Sequence, residues 1–156
     1  MRTFKILALV LLAGATLLFF NLWLDSREDQ KAYYPTAADT QRDKVGGADA
    51  FERGWLPTAL KSGASEIREE HNVSTNQGRA TFRYAPVFLD VLEQSCSRFS
   101  PEAPVSSPFS SPFRRWPGFL RKGDTAATLY SRNIRVFNCD GFTVAIDREQ
   151  SGFFWH

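Results

Sequence analysis

Residues 133–149 read NIRVFNCDGFTVAIDRE, and no other stretch restricts the fold as tightly. Apolar and polar residues alternate on both sides of Asp140-Gly141, a dipeptide suited to a two-residue hairpin turn because both central positions need positive φ. The turn sets Cys139 opposite Phe142, Phe137 opposite Val144 and Arg135 opposite Ile146. One face of the hairpin then carries Cys139, Phe137, Phe142, Val144 and Ile146, and this is the expected core face. The end of the chain, Gly152 to His156, is placed to add a last strand.

Upstream, RATFRY also alternates, with Ala80, Phe82 and Tyr84 on one face and Arg79, Thr81 and Arg83 on the other. That predicts a half-buried strand. Pro86 suits the start of a helix whose apolar stripe is Phe88, Leu89, Leu92 and Cys96. Leu60, Ala64, Ile67 and His71 recur at spacings of four, three and four, which predicts another short helix with Ser62 as its N-cap and Glu66, Glu69 and Glu70 on its flanks. Residues 72–78 (NVSTNQG) read as a polar turn. Five prolines between Ser97 and Gly123 exclude regular structure there and leave a long loop. The fold class is α+β, a small antiparallel sheet with one or two helices on one face. Cys96 ends its helix where it can meet Cys139 on the core face, and two cysteines allow one bridge within the chain.

The front of the chain differs from the rest. Ile6 to Leu24 is an apolar run behind Arg2 and Lys5, and it ends at Asp25. Nineteen helical residues span roughly 28 Å, close to the thickness of a bilayer's hydrocarbon. Ala13-Gly14-Ala15 has the small-residue pattern of a signal-peptide cleavage site, yet cutting there would leave TLLFFNLWL as an exposed apolar end. An uncleaved anchor is the favoured expectation, with Arg2 and Lys5 in the cytoplasm and the remainder outside. The expected division is an anchor over 1–24, a polar tether over 25–50 and an exported domain over 51–156. Beyond the anchor the chain holds equal numbers of basic and acidic residues, which argues against a nucleic-acid binder. The charge is uneven: ten acids and seven bases over 25–72, seven bases and two acids over 98–135.

The segment GWLPTALKSGASEIREEHNVSTNQGRATFRYAP, with a looser match around CDGFTVAID, resembles an uncharacterised family of small bacterial envelope proteins, membrane-anchored or lipid-anchored. In that family a Trp-(Leu or Ile)-Pro turn precedes a Ser-Gly-Ala-Ser-Glu-Ile segment, a Thr-Asn turn and a Phe-containing strand. The resemblance implies a bacterial protein with an exported α+β domain; together with the expected anchor this places it as a single-pass inner-membrane protein with the domain in the periplasm. It brings no catalytic residue with it.

Two stretches are candidate sites. Trp55, Glu70 and His71 lie close together, and a histidine beside carboxylates suits a general base or a metal ligand. No second histidine follows at the spacing of a helical zinc motif, and packing or helix capping is the plainer reading. No Gly-x-Ser-x-Gly, Walker or dinucleotide motif is present, so no catalytic, cofactor-binding or metal residue is assigned. The second stretch, 109–123, interleaves aromatic rings with cations: Phe113, Arg114, Arg115, Trp116, Phe119, Arg121 and Lys122. These types suit a protein-binding hot spot or a contact with anionic lipid, or the rings serve only to tie a long loop down. The expected role is a non-enzymatic interaction module with an envelope protein partner, held to the membrane by residues 6–24. The alternatives are a lipid- or cell-wall-proximal binder and a hydrolase using His71.

Overall fold

Asp140 and Gly141 both take positive φ in the computed structural model (54° and 86°), and the hairpin they close has the register that the alternation predicts. The structure describes residues 12–21, 29–42, 44, 46–105, 119–121 and 123–156. The elements in order are helix α1 (helical over 12–21), β1 (Asp29–Thr36), β2 (Ala64–Asn72), β3 (Gln77–Tyr84), α2 (Val87–Ser95), β4 (Ser97–Arg98), α3 (Ala126–Ser131), β5 (Arg135–Cys139), β6 (Phe142–Ile146) and β7 (Ser151–Trp155). Single 3₁₀ turns occupy Ala37–Arg42 and Thr58–Lys61. The strands form one antiparallel sheet in the order β1-β2-β3-β7-β6-β5-β4. Among the described residues no helix is long and apolar enough to cross a membrane. The other residues of the expected anchor, 6–11 and 22–24, lie outside the described ones.

Three expectations need correction. Residues 60–71 are not a helix. Gly63 sits at φ +115°, which ends the 3₁₀ turn, and the chain then runs extended as β2. A bulge at Glu66 shifts the register, so that Ile67, Glu69 and His71 point inward. Two of those three inward residues are polar, which hides the period of two and leaves the chance 4-3-4 spacing visible. The tether reading of 25–50 also fails, because Asp29–Thr36 pairs with β2 along its length. As an edge strand covered mainly at Tyr34, it reads as polar. Finally, helices pack on both faces of the sheet.

On one face, Phe88 and Leu92 of α2 and Phe51, Leu56 and Leu60 of the 49–62 segment cover Ile67, Phe82, Phe137, Val144 and Phe154. On the other, Leu129 of α3, with Val105 and Leu120, covers Val136, Ala145, Phe153 and Trp155. Every residue of β6 is therefore buried. α3 starts at Thr125, whose Oγ1 accepts the Thr128 N–H at 3.2 Å while Thr128 Oγ1 accepts the Thr125 N–H at 2.8 Å. This reciprocal cap compensates for a helix of only six residues. The disulfide Cys96–Cys139 is formed and ties the end of α2 to the end of β5.

Gly152 lies between Phe82 and Ile146 in the sheet, and the Phe82 ring crosses directly over its Cα; a methyl group there would overlap the ring. Phe82 is itself 2% exposed and has nowhere to go. Gly152→Ala should cost about 2 to 3 kcal/mol through overpacking. Urea unfolding checks this, and Phe82→Leu in the same chain should recover part of the loss.

Candidate functional site

The Trp55 region is built by a self-capped turn. Asp49 Oδ1 accepts the N–H groups of Phe51 and Glu52, each at 2.9 Å, and Glu52 Oε2 accepts the Asp49 N–H at 2.8 Å. The turn lays Trp55 over the inward face of β2. There its ring stacks on His71 with centroids 3.5 Å apart and planes at 28°. The Arg53 guanidinium covers the other side of the indole at 3.5 Å.

Of the three residues grouped from the sequence, the structure brings Trp55 and His71 together and separates Glu70 from them. Successive strand residues point to opposite faces, so Glu70 stands on the outer face, paired with Arg79 and with Lys31 at 3.5 Å. The carboxylate that meets His71 is Glu69, Oε1 lying 2.5 Å from Nδ1. Both side chains are shut away, His71 3% and Glu69 2% exposed. Burial, then the nearby Arg53 charge, hold the imidazole below its ordinary value, with Asp29 acting the other way. A neutral ring with its Nδ1–H given to Glu69 satisfies this geometry and leaves Nε2 as a buried acceptor with no hydrogen-bond partner. A carboxylate-oriented imidazole has the form of a general base, but Trp55 closes the approach a substrate would need. Among the described residues no group of three or more His, Cys, Asp or Glu is arranged to hold a metal ion.

The cationic aromatic stretch is only partly described. Phe113, Arg114, Arg115, Trp116 and Lys122 lie outside the described residues. Phe119 packs against the second core and its carbonyl accepts from Arg132 Nη1 at 3.0 Å. Leu120 is buried, and Arg121 is exposed with its N–H on Asp124 Oδ2 at 2.7 Å.

A third feature was not visible in the sequence. A groove of 860 Å³ opens where α2, the strand β4 and its continuation to Pro101, the start of β5 and the β6–β7 turn converge. Much of its lining is apolar or aromatic, including Leu89, Phe99, Phe137, Ile146, Tyr84 and Tyr130. Arg98, Arg135 and Arg148 stand among its lining residues. Tyr84 Oη donates to the Asp147 carbonyl and Tyr130 Oη to the Phe99 carbonyl at 2.8 Å. Burial pushes both phenols above their ordinary values, so they stay neutral donors at physiological pH. Asp147 Oδ1 accepts the N–H groups of Glu149 and Ser151, each at 2.9 Å, which commits that oxygen to the turn.

The family model described as the YbbD head domain matches residues 28–83, about a third of the chain. The matched part runs from β1 through β3 and contains the Trp55–His71 stack; every lining residue of the groove lies beyond it. No curated protein and no solved structure matches the chain. The match supports the resemblance to an uncharacterised family of small bacterial envelope-type proteins, at the level of the domain and not of the GWLP and SGASEI motifs.

Proposed function

We propose that this chain is a membrane-anchored module of the bacterial cell envelope whose exported domain binds another protein and performs no chemistry of its own. The observation that carries this reading is the groove: a concave, aromatic floor rimmed by arginines, the residue types that dominate binding energy at protein interfaces. Among the described residues its lining includes no histidine, cysteine or serine, and the buried His71–Glu69 pair is covered by Trp55. The apolar run at 6–24 behind Arg2 and Lys5 supports a single-pass anchor with the domain in the periplasm. The Cys96–Cys139 bridge suits that oxidising compartment.

A photo-crosslinking amino acid placed at Phe99 in the groove wall, and separately at Trp116, tests the proposal in living cells. A discrete protein adduct from either position is the expected result. Blank lanes at both positions, together with a blank at Trp55, would overturn it.

A further inference from the structure

Resting on the binding-module reading, we infer that the groove takes an acidic, extended segment of the partner protein, with carboxylates on the arginine rim and apolar side chains on the floor. The charge balance at the rim gives the sign. Arg98 and Arg135 share a single oxygen of Glu93, at 2.5 and 3.0 Å. Arg148 Nη2 donates to the neutral Asn133 Oδ1 at 2.5 Å. Among the described residues that line the groove there are three guanidiniums and one carboxylate, Asp147, one oxygen of which is already committed to backbone N–H groups. A guanidinium offers five donors, more than these pairs use, and the Arg98 and Arg135 side chains are 62% and 49% exposed. Carboxylates match that fork geometry in pairs of parallel hydrogen bonds.

The shape argues for a peptide. The volume lies in the range that buries a ligand of several residues, and the lining mixes apolar and aromatic side chains with arginines and amides. Asn133 and Gln150 add side-chain amides at the margin, which can meet the N–H and C=O groups of an extended backbone. A bare phosphate needs only the cations and would leave the apolar lining unused.

The test uses the full chain in neutral phosphatidylcholine nanodiscs and a short fluorescein-labelled peptide alternating glutamate with leucine, beside its glutamine and lysine counterparts. The glutamate peptide should bind in a salt-sensitive way and the other two should not. Arg135→Gln and Arg148→Gln should each weaken binding about tenfold, as expected for loss of a charge-assisted hydrogen bond. Both side chains are at the surface, and the melting temperature should hold. Equal binding of the glutamine peptide, or unchanged affinity in both variants, would overturn the acidic assignment. Binding of phosphatidylglycerol vesicles in place of the peptide, with the same arginine dependence, would overturn it in favour of lipid. If the glutamate peptide fails while the Phe99 crosslink still traps a protein, the acidic chemistry is wrong and the binding module stands. If both fail, both are wrong.

Discussion

Replacing Cys96 and Cys139 together by serine should lower the unfolding free energy by about 4 kcal/mol, the entropy that a cross-link over a loop of this length removes from the unfolded chain. The two cysteines are 43 residues apart, and the loop between them contains β4, the whole proline-rich stretch and α3. Cys139 is 1% exposed within the first core, so the serine variant also buries a hydroxyl where a sulfur packed. Urea unfolding of the wild type with and without reductant, beside the double serine variant, separates the two terms. Reductant should move the wild type most of the way and leave the variant unmoved. A change under about 1 kcal/mol on reduction would show that the bridge does not constrain the unfolded chain. The groove should respond as well. Arg98 and Phe99 stand just past Cys96, after Ser97, and reach β5 through β4, a strand of only two residues, and the Phe99 N–H···Val136 carbonyl bond at 3.3 Å. With the bridge open, that wall loses its covalent tie to β5 and keeps the Tyr130–Phe99 carbonyl bond and the Arg98–Glu93 pair, and adducts from a crosslinker at Phe99 should weaken along with stability.

What could be read in advance was what local chemistry dictates. The Asp140-Gly141 hairpin was legible because its turn residues and its pleat demand the same register. The strand of Ala80, Phe82 and Tyr84 and the helix after Pro86 were legible from one-sided burial. β2 was not, because its inward positions after the bulge include Glu69 and His71, and a buried ionisable pair carries no hydropathy signal. The second core escaped for the opposite reason. FTVAI reads as alternating around one core face, and nothing in that pattern hints that Thr143 and Ala145 are buried on the other. α3, at six residues, is too short to show a period. In the candidate site, Trp55 and His71 do come together, but reading His71 on a helix put Glu70 where Glu69 belongs. The groove had no local signature: its arginines lie at 98, 135 and 148, and only the sheet order brings them together.

The buried imidazole makes stability fall on mild acidification, and the sign follows from its position. The ring is held below its ordinary value of 6.5 in the folded chain, chiefly by burial, while in the unfolded chain it titrates near that value. Above about pH 6.5 both states are neutral and the full stability is present. As pH falls below it, the unfolded chain takes a proton that the folded chain refuses, and stability drops with a limiting slope of about 1.4 kcal/mol per pH unit. Carboxylates begin to contribute only below about pH 5, which leaves a window from about 6.5 to 5.5 in which His71 dominates. His71→Ala should cost about 3 to 4 kcal/mol near neutral pH, because it opens a cavity under Trp55 and removes the group bonded to the buried Glu69 oxygen. His71→Gln keeps much of the volume and an N–H for Glu69. It should retain most of the stability and lose the acid slope. Urea unfolding of the wild type and both variants at about pH 7.5 and about pH 5.5 decides the point. His156, which packs on Phe142, is exposed and is the only other histidine, so His156→Gln is the matched control and should keep the slope. A flat wild type across that window, or a His71→Gln variant that falls as steeply, would mean that the Glu69–His71 pair carries a proton into the fold after all.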